Sequence, residues 1–456
     1  MKYDALVMGG GPAGYKAAYE LACNGIKIAI VDLSEERLGG TCLNEGCIPV
    51  KTLLESAHIL ERLKNPAFGI FAGDVKIDIS TLRQTVEENK KRLRQGILYL
   101  VKSKGVEFVR GKAAFESERV VSVENGNGEN FKIEAEKFII ATGSIPKDLK
   151  SFPVDGNIIL NSKQILDEKN VPSSLLIVGG GAIGCEFASF YNAIGTRVTL
   201  IEMMTQLLPG EDEEVSRTLK REMEKKGITI FTESILKGVD ENGGEANAIL
   251  LLGGKELKQK FEKILIATGR KPNVEGLELE NAGIETEGGF IKVNHSFQTT
   301  NPSIYAAGDV INTLMLAHVA YREGVLSALA CIGKKIETDY LEITPRIVYT
   351  LPQVASAGLT EKKAIEKGID LRVTKAFFRA NGKAVIEKED SGFLKLLWNK
   401  KQDIIVGASI IGPSASELIH IVAIAIREKM KSEEVKNIVF GHPTLAEIFG
   451  EAVGLG

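Results

Sequence analysis

Two stretches of the chain repeat the same order of apolar and glycine-rich positions. A short apolar run at 4–8 and another at 175–178 each lead into a glycine-rich turn followed by a helix-like stretch. A further apolar run then ends in an acidic residue, Asp32 in the first copy and Glu202 in the second. Short apolar runs bounded by turn residues are typical of buried parallel strands. The pattern therefore predicts a strand–turn–helix–strand unit that occurs twice.

Each copy later reaches an apolar strand that ends in Ala-Thr-Gly, at 138–143 and at 264–269. The first copy also contains a long, charged, helix-like stretch at 81–104. From about residue 340 the pattern changes to short β-rich runs followed by a helix at 415–429. We therefore predict an α/β chain with two Rossmann-like dinucleotide-binding domains and a C-terminal α+β domain. The predicted boundaries are 1–146 with 270–338 for the first domain, 147–269 for the second and 339–456 for the third.

Composition and charge narrow the classes of function. The chain has 456 residues, of which 44% are hydrophobic and 26% charged, with a net charge of −3. This balance gives no basic field for nucleic acid or an anionic membrane surface. The apolar run at 419–426 is too short to span a membrane, and the first strand follows Met1 without a cleavable signal pattern. We expect a cytoplasmic protein that binds neither nucleic acid nor membrane.

The two glycine-rich turns, at 9–14 and 179–184, both match the pattern G-x-G-x-x-G. In both, the acid lies 18 positions after the last glycine. Such glycines allow a tight turn and a close approach of the backbone to a pyrophosphate, which lies at the helix N-terminus. A turn without a ligand is the alternative for an isolated match, but the repeat and the acids favour two nucleotide sites. The candidate glycines are Gly9, Gly11, Gly14, Gly179, Gly181 and Gly184.

The acid at the end of each second strand indicates how a ribose is bound. Asp32 would accept hydrogen bonds from a ribose in the first site. Glu202 is followed by Met203 and Met204 rather than by arginines. A carboxylate pairs with the free 2′-hydroxyl of NAD and repels the 2′-phosphate of NADP, so NAD is favoured. The alternative for Glu202 is an ordinary surface glutamate.

Cys42 and Cys47 are the candidate redox centre. Their separation allows a disulfide across an irregular helix start, and a helix beginning near 46–49 would stabilise a thiolate. A metal site would need further ligands at typical spacing, and the neighbouring sequence supplies none. We therefore predict a redox pair. The remaining cysteines lie in apolar, helix-like contexts and are expected to be inert core residues: Cys23, Cys185 and Cys331.

A histidine near the C-terminus is a candidate proton acceptor for thiol chemistry. His442 precedes a proline, and Glu447 follows five positions later. Histidine is suited to accept a proton near neutral pH, and a carboxylate can orient its ring. The other histidines in the sequence are expected to be structural: His58, His295 and His420.

Together these motifs resemble the class I FAD-dependent pyridine nucleotide–disulfide oxidoreductases, and among them the dihydrolipoamide dehydrogenases. The resemblance covers essentially the whole chain. It rests on the glycine fingerprints, the two Ala-Thr-Gly strands and the segments 40–49, 306–309, 315–318 and 442–447.

The resemblance implies a role for each candidate residue. FAD would be held by Gly9, Gly11, Gly14 and Asp32, with Asp309 on the ribityl region, and NAD by Gly181, Gly184 and Glu202. The other implied cofactor-binding residues are Gly143, Gly179, Gly269 and Ala317. Cys42 would meet the substrate, Cys47 would face the flavin, and Lys51 and Glu186 would form an ion pair beside it. His442 and Glu447 would act in the site of the other subunit, which implies an obligate homodimer.

The implied reaction is oxidation of protein-bound dihydrolipoamide with reduction of NAD⁺. The partner would be the lipoyl-bearing protein of a 2-oxoacid dehydrogenase or glycine cleavage complex. One alternative is an NAD(P)H-dependent reductase of another disulfide, against which Glu202 argues. A pyridine nucleotide transhydrogenase would not need the cysteines, and a non-catalytic flavoprotein subunit would not need the full set of catalytic residues.

Overall fold

The computed structural model describes residues 1–126, 128, 130–242 and 245–454. These residues form two compact units. The first unit comprises residues 1–52, 83–147 and 270–341, and the second comprises 53–82, 148–269 and the described residues from 342 onward.

The described residues form α-helices and β-strands with the following bounds. The helices are α1 (Pro12–Cys23), α2 (Gly40–Glu45), α3 (Cys47–Lys64), α4 (Ile79–Lys102), α5 (Ala182–Ala193), α6 (Glu213–Lys225), α7 (Ala317–Cys331), α8 (Glu361–Glu366), α9 (Gly382–Glu387), α10 (Ala415–Arg427), α11 (Ser432–Lys436) and α12 (Glu447–Gly454). The strands up to the Ala-Thr-Gly of the second repeat are β1 (Lys2–Met8), β2 (Ile28–Asp32), β3 (Glu107–Arg110), β4 (Lys112–Ser117), β5 (Val120–Glu124), β6 (Asn130–Ile140), β7 (Ser144–Pro146), β8 (Ile159–Asn161), β9 (Ser174–Val178), β10 (Arg197–Ile201), β11 (Thr229–Phe231), β12 (Ser234–Asn242), β13 (Glu245–Leu252), β14 (Lys255–Phe261) and β15 (Lys263–Ile266). The later strands are β16 (Arg270–Pro272), β17 (Thr286–Glu287), β18 (Phe290–Ile291), β19 (Ile304–Ala306), β20 (Arg346–Val348), β21 (Gln353–Gly358), β22 (Leu371–Phe377), β23 (Phe393–Asn399) and β24 (Ile404–Gly412).

The first unit is built on a parallel sheet in the order β3-β2-β1-β6-β19. The beginning of β6 also pairs with β5, which pairs with β4, so an antiparallel ribbon extends the same sheet. β1 and the end of β6 are nearly continuous apolar runs because strands covered on both faces have no solvent side. The main core of this unit forms around these strands.

The second repeat has the same arrangement within the second unit. Its parallel sheet has the order β11-β10-β9-β15-β8, and β12, β13 and β14 form an antiparallel ribbon. Strand β9 takes the place of β1, β10 that of β2 and β15 that of the end of β6. The predicted strand–turn–helix–strand repeat is thus confirmed in the fold, with both glycine turns directly after the central strand.

The C-terminal part of the second unit is an antiparallel sheet in the order β20-β21-β24-β23-β22. The apolar face of α10 packs on this sheet, and Trp398 is buried between them, with its Nε1 donating to Thr374 Oγ1 at 2.9 Å. The prediction of α+β structure after residue 340 is confirmed. Within the described residues, no helix is both long and apolar enough to cross a membrane.

Candidate active site

The first glycine fingerprint joins β1 to α1 with almost no space between them. Gly9 has a φ of +105°, and a Cβ on it would lie 2.4 Å from the carbonyl oxygen of Ala141. A Cβ on Gly14 would lie 1.8 Å from the carbonyl oxygen of Gly9. Only glycine allows this backbone conformation and this close approach of helix to strand.

The second fingerprint repeats this geometry closely. Gly179 has a φ of +114°, and a Cβ on it would lie 2.4 Å from the carbonyl oxygen of Ala267. A Cβ on Gly184 would lie 1.9 Å from the carbonyl oxygen of Gly179. The two turns are therefore built by the same steric constraints, and the sequence repeat reflects a repeated backbone.

The middle glycine of each fingerprint is explained differently. Among the described residues, no atom lies within 4 Å of a Cβ placed on Gly181, and the nearest atom to one on Gly11 is the Cα of Gly40 at 3.7 Å. These glycines are the N-caps of α5 and α1, and within the described chain neither helix start has a side-chain cap. The backbone N–H groups and the positive end of each helix dipole therefore face open space, which fits a bound pyrophosphate. On this observation the residues present fit FAD in the first site and NAD in the second.

The acids that end β2 and β10 occupy equivalent positions. Asp32 accepts from the N–H of Gly10 at 2.7 Å and from that of Leu33 at 2.7 Å. Burial raises the pKa of Asp32, and these two hydrogen bonds oppose the shift. Glu202 accepts from the N–H of Gly180 at 2.6 Å and from that of Met204 at 2.8 Å. Each carboxylate oxygen has a second lone pair, so both acids can still accept from a ribose hydroxyl.

The structure brings Cys42 and Cys47 together. Cys42 lies in the short helix α2, Gly46 interrupts the backbone, and Cys47 begins α3. A hydrogen bond with Cys47, together with burial, holds the pKa of the Cys42 thiol well above its usual range, and the charge of Lys51 partly opposes this. Cys47 lies at the start of α3, where the helix dipole and the backbone donors would stabilise a thiolate.

Two tyrosines that the sequence analysis missed lie near this pair. Tyr15, in the first turn of α1, and Tyr321, in α7, pack edge to face with ring centroids 5.8 Å apart and share a hydrogen bond. Burial raises the pKa of both phenols, and both lie close enough to Cys42 to interact with it electrostatically. The available signal for Tyr15 was its place directly after the last glycine of the fingerprint.

A half-buried arginine, Arg270, holds the segment that carries Asp309. Ser144 Oγ donates to Asp309 Oδ2 at 2.5 Å, while Arg270 Nε donates to Ser144 Oγ at 2.7 Å and Arg270 Nη2 to the Ser144 carbonyl at 2.6 Å. Burial lowers the pKa of Arg270, and the charges of Asp309, Glu45 and Cys47 oppose this shift. The sequence analysis missed Ser144 and Arg270. The signal was present, because each directly follows one of the two Ala-Thr-Gly strands.

His442 and Glu447 meet as the sequence analysis expected. His442 Nδ1 lies 2.8 Å from Glu447 Oε1, and the other carboxylate oxygen accepts from the N–H of Thr444 at 2.7 Å. These hydrogen bonds lower the pKa of Glu447, and the one from Thr444 has the larger effect. The His442 side chain is 78% exposed in the single chain, so a ring held by its Nδ1 presents Nε2 to solvent.

The other candidate residues occupy well-defined positions. Glu186 is 4% exposed in α5 and accepts from the N–H of Tyr349 at 3.0 Å. Lys51 lies one turn beyond Cys47 in α3, and Ala317 is the first residue of α7. Gly143 and Gly269 have φ values of +72° and +110°.

The expectation for the remaining cysteines and His58 is only partly met. Cys185 and Cys331 are buried, as expected, but Cys23 is exposed because it is the last residue of α1. His58 is structural: its Nε2 lies 2.7 Å from Glu389 Oε1.

Comparison with known proteins identifies the family. Residues 3–324 match the pyridine nucleotide-disulphide oxidoreductase family, and residues 344–453 match its dimerisation domain, which supports the predicted homodimer.

Relatives match over nearly the whole chain. A dihydrolipoyl dehydrogenase of Bacillus subtilis is 40% identical over 98% of this chain and 97% of its own. A dihydrolipoyl dehydrogenase of Chlorobaculum parvum is 39% identical over 99% of this chain and 96% of its own. The Cu(II) complex of the HOCl-induced flavoprotein disulfide reductase RclA from Escherichia coli is 27% identical, with a TM-score of 0.89 over 100% of this chain and 99% of that one. The chain belongs to the pyridine nucleotide-disulphide oxidoreductase family.

Proposed function

We propose that this protein oxidises the dihydrolipoyl group of a partner protein to lipoyl and reduces NAD⁺ to NADH. The observation that carries the proposal is the Cys42–Cys47 pair in the same unit as the first glycine fingerprint, with a second fingerprint ending in Glu202. The relatives of similar length, named dihydrolipoyl dehydrogenase, support the choice of substrate.

Members of this family use FAD and NAD, and the two fingerprints fit them. Gly9, Gly11, Gly14, Asp32 and Asp309 would hold FAD. The second fingerprint, with Glu202 on the ribose, would hold NAD. Bound FAD would supply two-electron chemistry linking the dithiol to the nicotinamide, because a thiolate cannot deliver a hydride itself. The domains 1–146 with 270–338, 147–269 and 339–456 would then be the FAD, NAD and interface domains.

The thiol step would take place at Cys42. A substrate thiolate attacks Cys42 Sγ, the Cys42–Cys47 bond breaks, and Cys47 leaves as a thiolate. The second substrate thiolate then attacks the substrate sulfur bound to Cys42, closes the lipoyl ring and releases Cys42. The substrate loses two electrons and the enzyme disulfide gains them. The position of Cys47 at the start of α3 supports this division of roles, because a helix N-terminus stabilises the thiolate that leaves.

Proton transfer would involve the C-terminal histidine. His442 of the partner subunit would accept the proton of the attacking substrate thiol, with Glu447 of the partner subunit fixing the ring through Nδ1. The exposure of the His442 ring supports a role outside its own chain. Lys51, one turn beyond Cys47 in α3, would lie beside the flavin.

The lipoyl group would arrive on a partner protein. That partner would belong to a 2-oxoacid dehydrogenase or glycine cleavage complex, because these complexes regenerate lipoyl disulfides.

The test is NADH formation by the purified holoenzyme with dihydrolipoamide, with NAD⁺ and NADP⁺ in parallel assays. The proposal expects turnover with NAD⁺, little with NADP⁺, and none in Cys42→Ser with either. Turnover that needs NADPH and another disulfide would contradict the assignment of the dihydrolipoyl group as substrate and would favour a reductase. NADH formation retained by Cys42→Ser would contradict the thiol step.

A further inference from the structure

A cluster of charged residues around a buried lysine of the second unit lies outside the site described above. It consists of Lys395 in β23 with Asp212, Glu214, Glu361 and Lys375, and is called the Lys395 cluster here. We propose that Lys395 is a positioning residue for the dinucleotide site at the second fingerprint. The inference rests on the proposed use of that site for NAD.

Lys395 is held on three sides by carboxylates although its side chain is only 5% exposed. Its Nζ lies 3.0 and 3.2 Å from the two carboxylate oxygens of Asp212 and 2.5 Å from Glu361 Oε2. Burial lowers the pKa of Lys395, but the hydrogen bonds with Glu361 and Asp212 outweigh it, and the net shift is upward. The ammonium group therefore stays charged and anchors Asp212.

Asp212 determines where α6 begins. It is the N-cap of this helix, and its Oδ1 accepts from the N–H of Glu214 at 3.0 Å. The adjacent Glu211 is fixed in a similar way, because Arg346 Nε donates to its Oε1 at 3.0 Å. Two cations of the C-terminal sheet thus hold two consecutive acids at the end of the loop that follows Glu202.

Hydrogen bonds continue from this anchor to the ribose-binding acid. Ser216 Oγ, in the first turn of α6, donates to the carbonyl of Leu207 at 2.6 Å. The N–H of Leu208 donates to the carbonyl of Gly180 at 2.9 Å. The N–H of Gly180 in turn donates to Glu202 Oε2 at 2.6 Å. A contiguous path therefore runs from Lys395 through the start of α6 to the fingerprint and its acid.

Removing Lys395 would disturb this path because of the charge left behind. A buried carboxylate without its cation is strongly unfavourable, so Asp212 would move toward water and take the start of α6 with it. The loop at 203–212 would lose its fixed end, while the residues of the path belong to the second unit and Cys42 and Cys47 to the first. The expected defect is therefore specific to the dinucleotide.

The experiment compares Lys395→Met, Asp212→Asn and the double variant with the wild-type holoenzyme. Asparagine is as good an N-cap as aspartate, so Asp212→Asn removes the charge and keeps the cap. Lys400→Met is the matched control, because Lys400 pairs with Asp370 on the surface at 2.8 Å, where both side chains are more than half exposed. The readouts are the dissociation constant of NADH, measured by fluorescence without turnover, and the KM values for NAD⁺ and dihydrolipoamide.

Lys395→Met is expected to weaken NADH binding roughly 2- to 30-fold, the range for residues that act on a site through others, and to raise the KM for NAD⁺ in parallel. The KM for dihydrolipoamide should not change, and the double variant should recover part of the loss. Unchanged NADH binding in Lys395→Met, or equal effects on both substrates, would overturn the proposal.

If Lys395→Met does not fold, Glu361→Gln provides the test, because that side chain is 41% exposed. It should weaken NADH binding in the same direction and by less, and unchanged binding would count against the proposal. Because NADH binding is measured without dihydrolipoamide, the outcome is independent of whether dihydrolipoamide proves to be the substrate.

Discussion

The two glycines at the ends of α5's first turn should respond to alanine in opposite ways. Gly184 has no room for a side chain, because a Cβ would lie 1.9 Å from the carbonyl oxygen of Gly179 and 3.3 Å from Ile177. Gly181 has a φ of −74°, open to any residue, and within the described chain nothing lies within 4 Å of its Cβ position. If Gly181 is required for ligand binding and Gly184 for stability, Gly181→Ala should be defective in the binding assay and Gly184→Ala in the unfolding assay.

The structure gives the size of each effect. Relieving a contact of 1.9 Å requires α5 and β9 to separate by about 1 Å or more, and such overpacking typically costs about 1–3 kcal/mol. For a domain of about 150–250 residues, each kcal/mol shifts Tm by about 2–4 °C. In Gly181→Ala, the poorer N-cap and the smaller entropy of the unfolded chain oppose each other, so stability should change by less than about 1 kcal/mol.

The assays are thermal unfolding and NADH binding by fluorescence, with FAD content as the control for the first site. Gly181→Ala should keep the wild-type Tm and FAD content and lose NADH affinity by about tenfold or more, since a methyl group would occupy the place of the pyrophosphate. Gly184→Ala should lower Tm by several degrees. The reasoning is refuted if Gly181→Ala binds NADH like the wild type, or if it is destabilised as much as Gly184→Ala.

Three further predictions concern the thiols, the histidine and pH. Cys47→Ser should keep bound FAD, measured by absorbance, and lose NADH formation from dihydrolipoamide; turnover near the wild-type rate would contradict the role of this cysteine. His442→Gln should lower kcat with dihydrolipoamide by about 10²- to 10⁴-fold and leave NADH binding unchanged, and an unchanged kcat would exclude a role as proton acceptor. The hydrogen bond with Glu389 raises the pKa of His58 and lowers that of Glu389. The contribution of His58 to stability should therefore be complete below its ordinary pKa near 6.5 and be lost as pH rises through the raised value. Because both side chains are 29% exposed, the loss of stability should stay within about 1 kcal/mol. Urea unfolding at pH 6 and pH 9 should show this loss in the wild type and not in His58→Gln. An equal loss in both proteins would mean that other groups cause it.

The sequence predicted those features that depend on local backbone constraints. Gly9 has a positive φ, and a carbonyl oxygen lies 1.8 Å from the Cβ position of Gly14. Only glycine is compatible with such positions, so the constraint is visible directly in the sequence. The acid at the end of the second strand is equally local, because it caps the same turn. The repeated unit predicted the two parallel sheets, and the structure supplies the order of their strands.

The features that the sequence did not predict depend on distant segments. Ser144 and Arg270 reach Asp309 from two other parts of the chain, and their places after the Ala-Thr-Gly strands do not by themselves predict this contact. In the sequence, nothing distinguishes Lys395 from other lysines in strands. Its contact with Asp212 is visible only in the folded structure. The expectation for Cys23 was wrong for a local reason, since an apolar helix still exposes its last turn.

The proposed function requires that Cys42 and Cys47 form the disulfide that dihydrolipoamide reduces. The most direct measurement is alkylation of the native holoenzyme under anaerobic conditions, before and after adding dihydrolipoamide, with each cysteine quantified by peptide mass spectrometry. Cys23 is exposed and should be labelled in both states, while Cys185 and Cys331 are buried and should resist in both. The account predicts that Cys42 and Cys47 become labelled only after reduction. Labelling of this pair before dihydrolipoamide is added, or its absence after the addition, would contradict the claim.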